Sequence, residues 1–130
     1  MRISAWMSVS ACSGALGVAL GAFAAHGLKN TLTPYLLEVF QTGVEYQMLH
    51  TLALAWVCVW MHRDPDNPWW SSVAWAWTLG MMFFSGSLYL LALTGIHYLG
   101  FITPIGGSLL ILGWLLILVA IYKHNHQQSA

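Results

Sequence analysis

The sequence predicts an all-α membrane protein, with four transmembrane helices in a bundle and a short amphipathic interfacial helix between helices one and two. Three observations predict it. Charged residues make up only 6% of the chain, against roughly 25% in a soluble globular domain. Hydrophobic residues make up 58% of the 130, with 8 Trp among the aromatics, and a soluble fold of this size exposes too large a share of its residues to hide so much apolar surface. The apolar residues also fall into four runs whose central portions lack acidic or basic residues, each close to the roughly 20 residues that cross the hydrocarbon. Unpaired backbone groups are not tolerated in lipid and four strands cannot close a barrel, so each run is read as a helix. The chain is expected to be a single membrane domain, residues 1–130.

The first span is expected over about residues 3–25. Ala22-Phe23-Ala24 imitates a signal-peptide cleavage site, and "VSAC" at 9–12 imitates a lipoprotein processing site. The apolar run continues well past Cys12, so the segment is read as a retained transmembrane helix. Next comes "TPYLLEVFQTG". Thr33-Pro34 is a helix start, and Leu36, Leu37, Val39 and Phe40 alternate with Glu38 and Gln41 in a roughly helical pattern. This predicts an interfacial helix over about 34–43. A straight helix from Pro34 to His62 would be roughly 43 Å long, so a bend is expected near Gly43 before the second span, about 44–62.

"HRDPDNP" at 62–68 reads as a tight, water-exposed turn whose aspartates serve turn chemistry. Trp69 and Trp70 follow, where indole rings suit the interface, and the third span is expected over about 69–93. A short turn at 94–102 leads to Thr103-Pro104, read as N-cap and first helical residue, and to the fourth span, about 103–122. The polar tail "KHNHQQSA" is expected to fray. Arg2, Arg63 and Lys123 lie on one side of this topology and Lys29 on the other, which places both termini in the cytoplasm by the positive-inside rule.

Hydrophobicity cannot drive helix against helix in lipid, but close contact between small residues can. Ser13, Gly17, Gly21 and Ala25 recur every four residues, with Gly14 beside them. They form a packing face on helix one, against a neighbouring helix or a second copy of the chain. Gly80, the "SGS" at 85–87 and "PIGG" at 104–107, with Gly106 and Gly107, offer similar patches.

Ionisable residues inside a membrane span are functional suspects. His50 is the strongest, roughly 9 Å in from the start of the second span. Tyr46 shares its face, Gln47 and Thr51 lie beside it, and these neighbours can satisfy a neutral imidazole. Two readings stay open: a polar cluster that locks helices together, and a site for a proton, ion or ligand. A water-accessible cavity reaching His50 favours the second, and a dry, packed cluster the first. Glu45 lies about 140° around the helix from His50, so the two do not pair. His26, Glu45, His50 and His97 have no tight metal-ligand spacing, and no metal or cofactor is expected. Cys12 and Cys58 are isolated in apolar runs and read as packing residues. No nucleophile with an orienting base, no phosphate loop and no basic run for nucleic acid is present, so the chain is expected to be non-enzymatic.

"GALGVALGAFAAHGLK" (14–29), "FQTGVEYQMLHTLAL" (40–54), "FSGSLYLLALTG" (84–95) and "ITPIGGSLLILGWLLI" (102–117) occur in that order. Together they resemble the small membrane family called domain of unknown function 423, and the resemblance covers nearly the whole chain. It implies a four-helix protein of the bacterial inner membrane with no assigned activity. The family's recurring polar positions fall on His26, Tyr46, Gln47 and His50, and on Thr103-Pro104 with Gly106-Gly107, whereas Glu45 is less tied to the pattern. The leading expectation is a binding or accessory protein that assembles with itself or docks on a larger membrane complex. The alternative is a small transporter or binder of a proton, metal ion or quinone-like molecule, using His26, Glu45, Tyr46, Gln47 and His50 on the outward side.

Overall fold

The computed structural model describes residues 1–129, and all regular structure among them is helical. The helices are α1 (Ile3–His26), α2 (Pro34–Arg63), α3 (Trp69–Thr94) and α4 (Thr103–Ser129), with a 3-10 turn at His97–Phe101 before α4. Local chemistry sets several of the ends. The Thr33 hydroxyl accepts from the Leu36 N–H at 3.3 Å, with Pro34 opening α2. Asn67 Oδ1 accepts from the Trp69 N–H at 3.2 Å at the start of α3. Gly95 closes α3 at φ 70°, a left-handed conformation that glycine adopts without a Cβ penalty.

The helices pack in chain order, α1 on α2, α2 on α3 and α3 on α4. Cross-helix contacts fix an antiparallel register. Ser10 meets Thr51 while Gly21 meets Val44; Gly43 meets Ser85 while Trp60 stacks on Trp70; Ser87 meets Thr103 while Trp77 meets Leu110. Two apolar clusters result. The larger, with Trp6, Leu54, Val57, Trp70 and Trp77, runs from the middle towards the end where α2 joins α3. The smaller, with Ala24, Leu28, Phe40 and Ala92, closes the opposite end.

Three of the four helical segments are long and apolar enough to cross a membrane, residues 3–28, 69–94 and 97–129. The segment not among them, α2, carries Gln47, His50 and Thr51, all buried against its neighbours. These three side chains face protein, whereas Glu38, Gln41 and Glu45 on the same helix are exposed, and together they lower its hydropathy.

Several expectations need correction. The interfacial helix over 34–43 is not a separate element, because α2 continues without a break from Pro34 to Arg63. Gly43, the expected bend, is instead a contact point. A Cβ there would lie 2.7 Å from the Tyr89 ring, and the Ser85 hydroxyl donates to the Gly43 carbonyl at 2.7 Å. Close approach of α3 uses the missing side chain and leaves the helical ladder unbroken. The tail is not frayed either, since α4 extends to Ser129. Thr103 lies inside α4 and pairs with the Ser87 hydroxyl at 2.7 Å.

The small residues do their work within the chain. On α1, a Cβ at Gly17 would collide with the Met48 thioether, while Gly14 and Gly21 sit at ordinary contact with Thr51 and Val44, 3.5 and 3.4 Å from an added Cβ. This face of α1 is therefore occupied by α2. A Cβ at Gly106 would strike the Phe83–Phe84 backbone, and one at Gly113 the Trp77 indole. Gly107 is different, because a Cβ there would touch the Phe84 ring at 3.6 Å.

Candidate functional site

The polar residues of α2 divide between two faces. Residues 46 and 50 share one face and 47 and 51 another, the two about 100° apart. The structure accordingly sends Tyr46 and His50 towards α3 and α4, and Gln47 and Thr51 towards α1 and α3.

On the first face, His50 is 2% exposed. Its Nδ1 lies 2.8 Å from the Tyr46 carbonyl, and its Nε2 lies 3.0 Å from the Trp114 indole nitrogen. An indole N–H only donates, so Nε2 is the acceptor and the proton resides on Nδ1, which donates to Tyr46. Both ring nitrogens are engaged in the neutral form. Trp77 and Trp114 meet the imidazole edge-on at 5.7 and 5.9 Å, and Tyr46 stacks over it at 6.3 Å. The Trp77 indole donates to the Leu110 carbonyl at 3.2 Å.

On the second face, Gln47 bridges three helices. Its Nε2 donates to the Ser13 carbonyl at 2.9 Å, and its Oε1 accepts from the Tyr89 hydroxyl at 2.6 Å. Ser13 and Thr51 hydroxyls pair at 2.7 Å, and Ser10 donates to the Thr51 carbonyl at 2.9 Å. Above this seam, α1 and α3 leave a lateral groove of about 460 Å³. Val9, Cys12 and Leu16 form one wall, Thr78, Met82 and Gly86 the other, and Gln47 and Tyr89 contribute polar atoms. Leu16 and Met82 are exposed, so the groove opens sideways near the middle of both helices.

The remaining expected site residues lie apart from both clusters. Glu45 and His26 are exposed. Glu45 lines a shallow depression of about 160 Å³ with Tyr46 and Leu49, and His50 is not part of its lining. No group of three or more His, Cys, Asp or Glu side chains that could hold a metal occurs among the described residues.

A third polar cluster, at the opposite end from His26, was not legible in the sequence. Asp64 and Asn67, in the turn read as water-exposed, are 8% and 4% exposed. Asp64 Oδ2 accepts from the Trp70 indole at 3.0 Å and from Asn67 Nδ2 at 2.8 Å, and lies 3.1 Å from His124 Nδ1. Asn67 Nδ2 also donates to the Ala120 carbonyl at 2.9 Å. Burial opposes the Asp64 charge, but hydrogen bonds from Trp70 and Asn67 and the field and hydrogen bond of His124 outweigh it, holding the carboxyl below its ordinary value of 3.8. The only local signal is an Asp and an Asn three apart. Trp70, Ala120 and His124 come from elements the turn cannot foretell.

Apolar helices whose polar side chains turn inward define a helical membrane protein. The chain belongs to the family described as protein of unknown function DUF423, which it matches over residues 20–107. It is 47% identical over 112 residues to the UPF0382 inner membrane protein YgdD of Escherichia coli K12, spanning 85% of this chain and 83% of that one. It is 43% identical over 115 residues to the UPF0382 membrane protein SSP2132 of Staphylococcus saprophyticus, covering 88% and 94% of the two chains. A UPF0382 membrane protein of Haemophilus influenzae is 42% identical over 118 residues, 91% of this chain and 94% of that one. No solved structure matches the chain.

Proposed function

We propose that this is a non-enzymatic binding or accessory protein of the bacterial inner membrane, with all four helices crossing and both termini in the cytoplasm. The observation that carries the reading is the state of His50. The imidazole near the middle of α2 is closed in by Tyr46, Trp77 and Trp114, and both its nitrogens are spent on protein partners. Such a cluster locks helices together and leaves no free imidazole to relay a proton or engage a substrate. The groove between α1 and α3 provides a surface for binding instead. The four-span topology is supported by the antiparallel register, in which α2 lies along α1 and α3 over most of their length. Orientation is supported by Arg63 and Lys123 lying at one end, as the contact of Asp64 with His124 requires, with Arg2 at the same end through Trp6 against Trp75.

The test is isolation of the untagged protein from native membranes in a mild detergent, followed by mass determination of the intact particle. Binding or assembly predicts a particle heavier than the 14.4 kDa chain plus detergent, carrying a protein or lipid companion in fixed ratio. A bare monomer under every mild condition overturns the reading. The transport alternative predicts flux in proteoliposomes that His50→Leu abolishes.

A further inference from the structure

We propose that the connection between α3 and α4, residues 95–102, is a lipid-binding surface seated in the outer headgroup layer. The inference goes beyond the binding reading and rests on the four-span topology proposed with it.

Three observations carry it. The first is level. The Ser87 and Thr103 hydroxyls meet at 2.7 Å, so α4 starts beside Ser87 and not beside the end of α3. From Ser87 to Thr94, where α3 ends, is about 10 Å at helical rise. The connection therefore descends along the flank of the bundle, against α3 and α4, instead of standing above it. From Thr103 to Lys123, α4 covers about 30 Å, the thickness of the hydrocarbon core. With Lys123 at the inner edge, Thr103 marks the outer one. Headgroups fill roughly the next 5–7 Å, and the connection runs through them.

The second is the surface it presents. Tyr98 and Phe101 are 81% and 75% exposed, the two most exposed large apolar side chains among the described residues. Their rings stack at 6.4 Å, and Ile96 and Ile102 are exposed beside them in the chain. No Asp, Glu, Lys or Arg occurs in residues 67–122. The other outward connection, residues 27–33, exposes Lys29, Asn30 and Thr31 instead. A surface made for a partner protein carries a polar rim. Here the apolar surface continues into exposed Leu90 and Leu93 of α3 and Ile105 of α4, on sides that the bilayer covers. Lipid is the occupant continuous with that surface, and tyrosine rings are enriched at this level of a membrane.

The third is the backbone. A connection that leaves bulk water must satisfy its own polar groups. The Gly95 N–H donates to the Leu91 carbonyl at 2.8 Å, Leu99 to Ile96 at 3.2 Å and Ile102 to Leu99 at 3.1 Å. The Ile96 N–H donates to the Thr94 hydroxyl at 3.3 Å. A backbone bonded to itself in this way asks little of the surrounding water.

The experiment places a nitroxide on Gly100→Cys, where an added Cβ meets nothing within 4 Å and both rings are kept. The full chain, with Cys12→Ala and Cys58→Ala, is reconstituted in vesicles of phosphatidylcholine and phosphatidylglycerol. Electron paramagnetic resonance compares collisions with oxygen, which concentrates in lipid, and with a neutral nickel chelate, which stays in water. Labels on Asn30→Cys and Leu112→Cys supply the water and hydrocarbon references. The label at residue 100 should meet the chelate several-fold less than the label at residue 30, and should read shallower than residue 112. Tyr98→Ser with Phe101→Ser should raise its chelate collisions several-fold at equal helical circular dichroism. A label at residue 100 as open to the chelate as residue 30 would overturn the proposal and keep the spans. Protection from both reagents would mean that a second copy covers the turn, and would overturn the lipid assignment. Chelate collisions unchanged by the double serine variant would overturn the seating of the turn by its rings. The topology fails separately: a label at residue 112 open to the chelate would deny that α4 crosses, and the inference falls with it.

Discussion

His50 shows how a side chain read as a suspect can be held as structure. Its two nitrogens have different partners, and the indole of Trp114 dictates which carries the proton. Nitrogen-15 spectra should therefore report a single neutral tautomer protonated at Nδ1. His50→Leu leaves the Trp114 N–H without its acceptor and should cost about 1–3 kcal/mol of stability, read from unfolding in mixed detergent micelles. Adding Trp114→Phe removes the orphaned donor, so the double variant should lose less than the sum of the singles. The coupling should be about 0.6–1.7 kcal/mol, the scale measured for hydrogen bonds inside membrane proteins. Gly106 and Gly107 make a second test between adjacent residues. Gly106→Ala forces a methyl into the Phe83–Phe84 backbone and should destabilise by about 1–3 kcal/mol. Gly107→Ala meets only ordinary contact with the Phe84 ring and should be neutral or slightly stabilising through helix propensity. The importance of Gly106 was visible in "PIGG", but its difference from Gly107 was not, since only the facing helix distinguishes two neighbouring glycines.

Among the elements, the end of α4 is where chain and fold diverge most. Nothing apolar in residues 123–129 argues for helix, yet His124 lies against Asp64 and edge-on to Trp60 at 5.6 Å. A partner from another element orders a segment that its own composition would leave loose. This element has a defined pH response. The Asp64 carboxyl titrates lower in the fold than in the unfolded chain, so its stabilising contribution is complete above the ordinary carboxylate value. It disappears as pH falls from there through the folded value. Thermal unfolding between pH 5 and pH 2 (both about) should show this decline, and Asp64→Asn should flatten it. His124→Ala should increase amide exchange over the last turns of α4 while leaving residues 106–117 protected, because those pack on α3.

At the scale of the molecule, α2 and α3 form the central pair, with α1 laid on the first and α4 on the second. Three polar clusters join the layers at different levels. The seam around Gln47 ties α1, α2 and α3; the imidazole of His50 ties α2 to α4; the carboxyl of Asp64 ties the turn after α2 to α3 and α4. Removing any one should loosen a different pair of helices. The topology is checked by reporters fused to either end. Both should read as cytoplasmic in a bacterial cell, and a reporter placed after Lys29 should read as outside. Cytoplasmic signal at Lys29 would exclude a complete crossing by α1.

Composition alone determined the solvent of this protein, since so few charges and so much apolar surface leave the bilayer as the only place to turn those faces. Periodicity and punctuation determined most helix limits, because caps, prolines and breaks in hydropathy act locally. The tertiary structure alone decided which way each polar residue faces. Tyr46, Gln47 and His50 are neighbours in sequence, yet a rotation of about 100° per residue sends Gln47 to one pair of helices and His50 to another. It also decided that Gly43 is a contact rather than a bend, and that Asp64 is buried. In each case the partner is a residue distant in sequence, on an element whose approach no local pattern encodes.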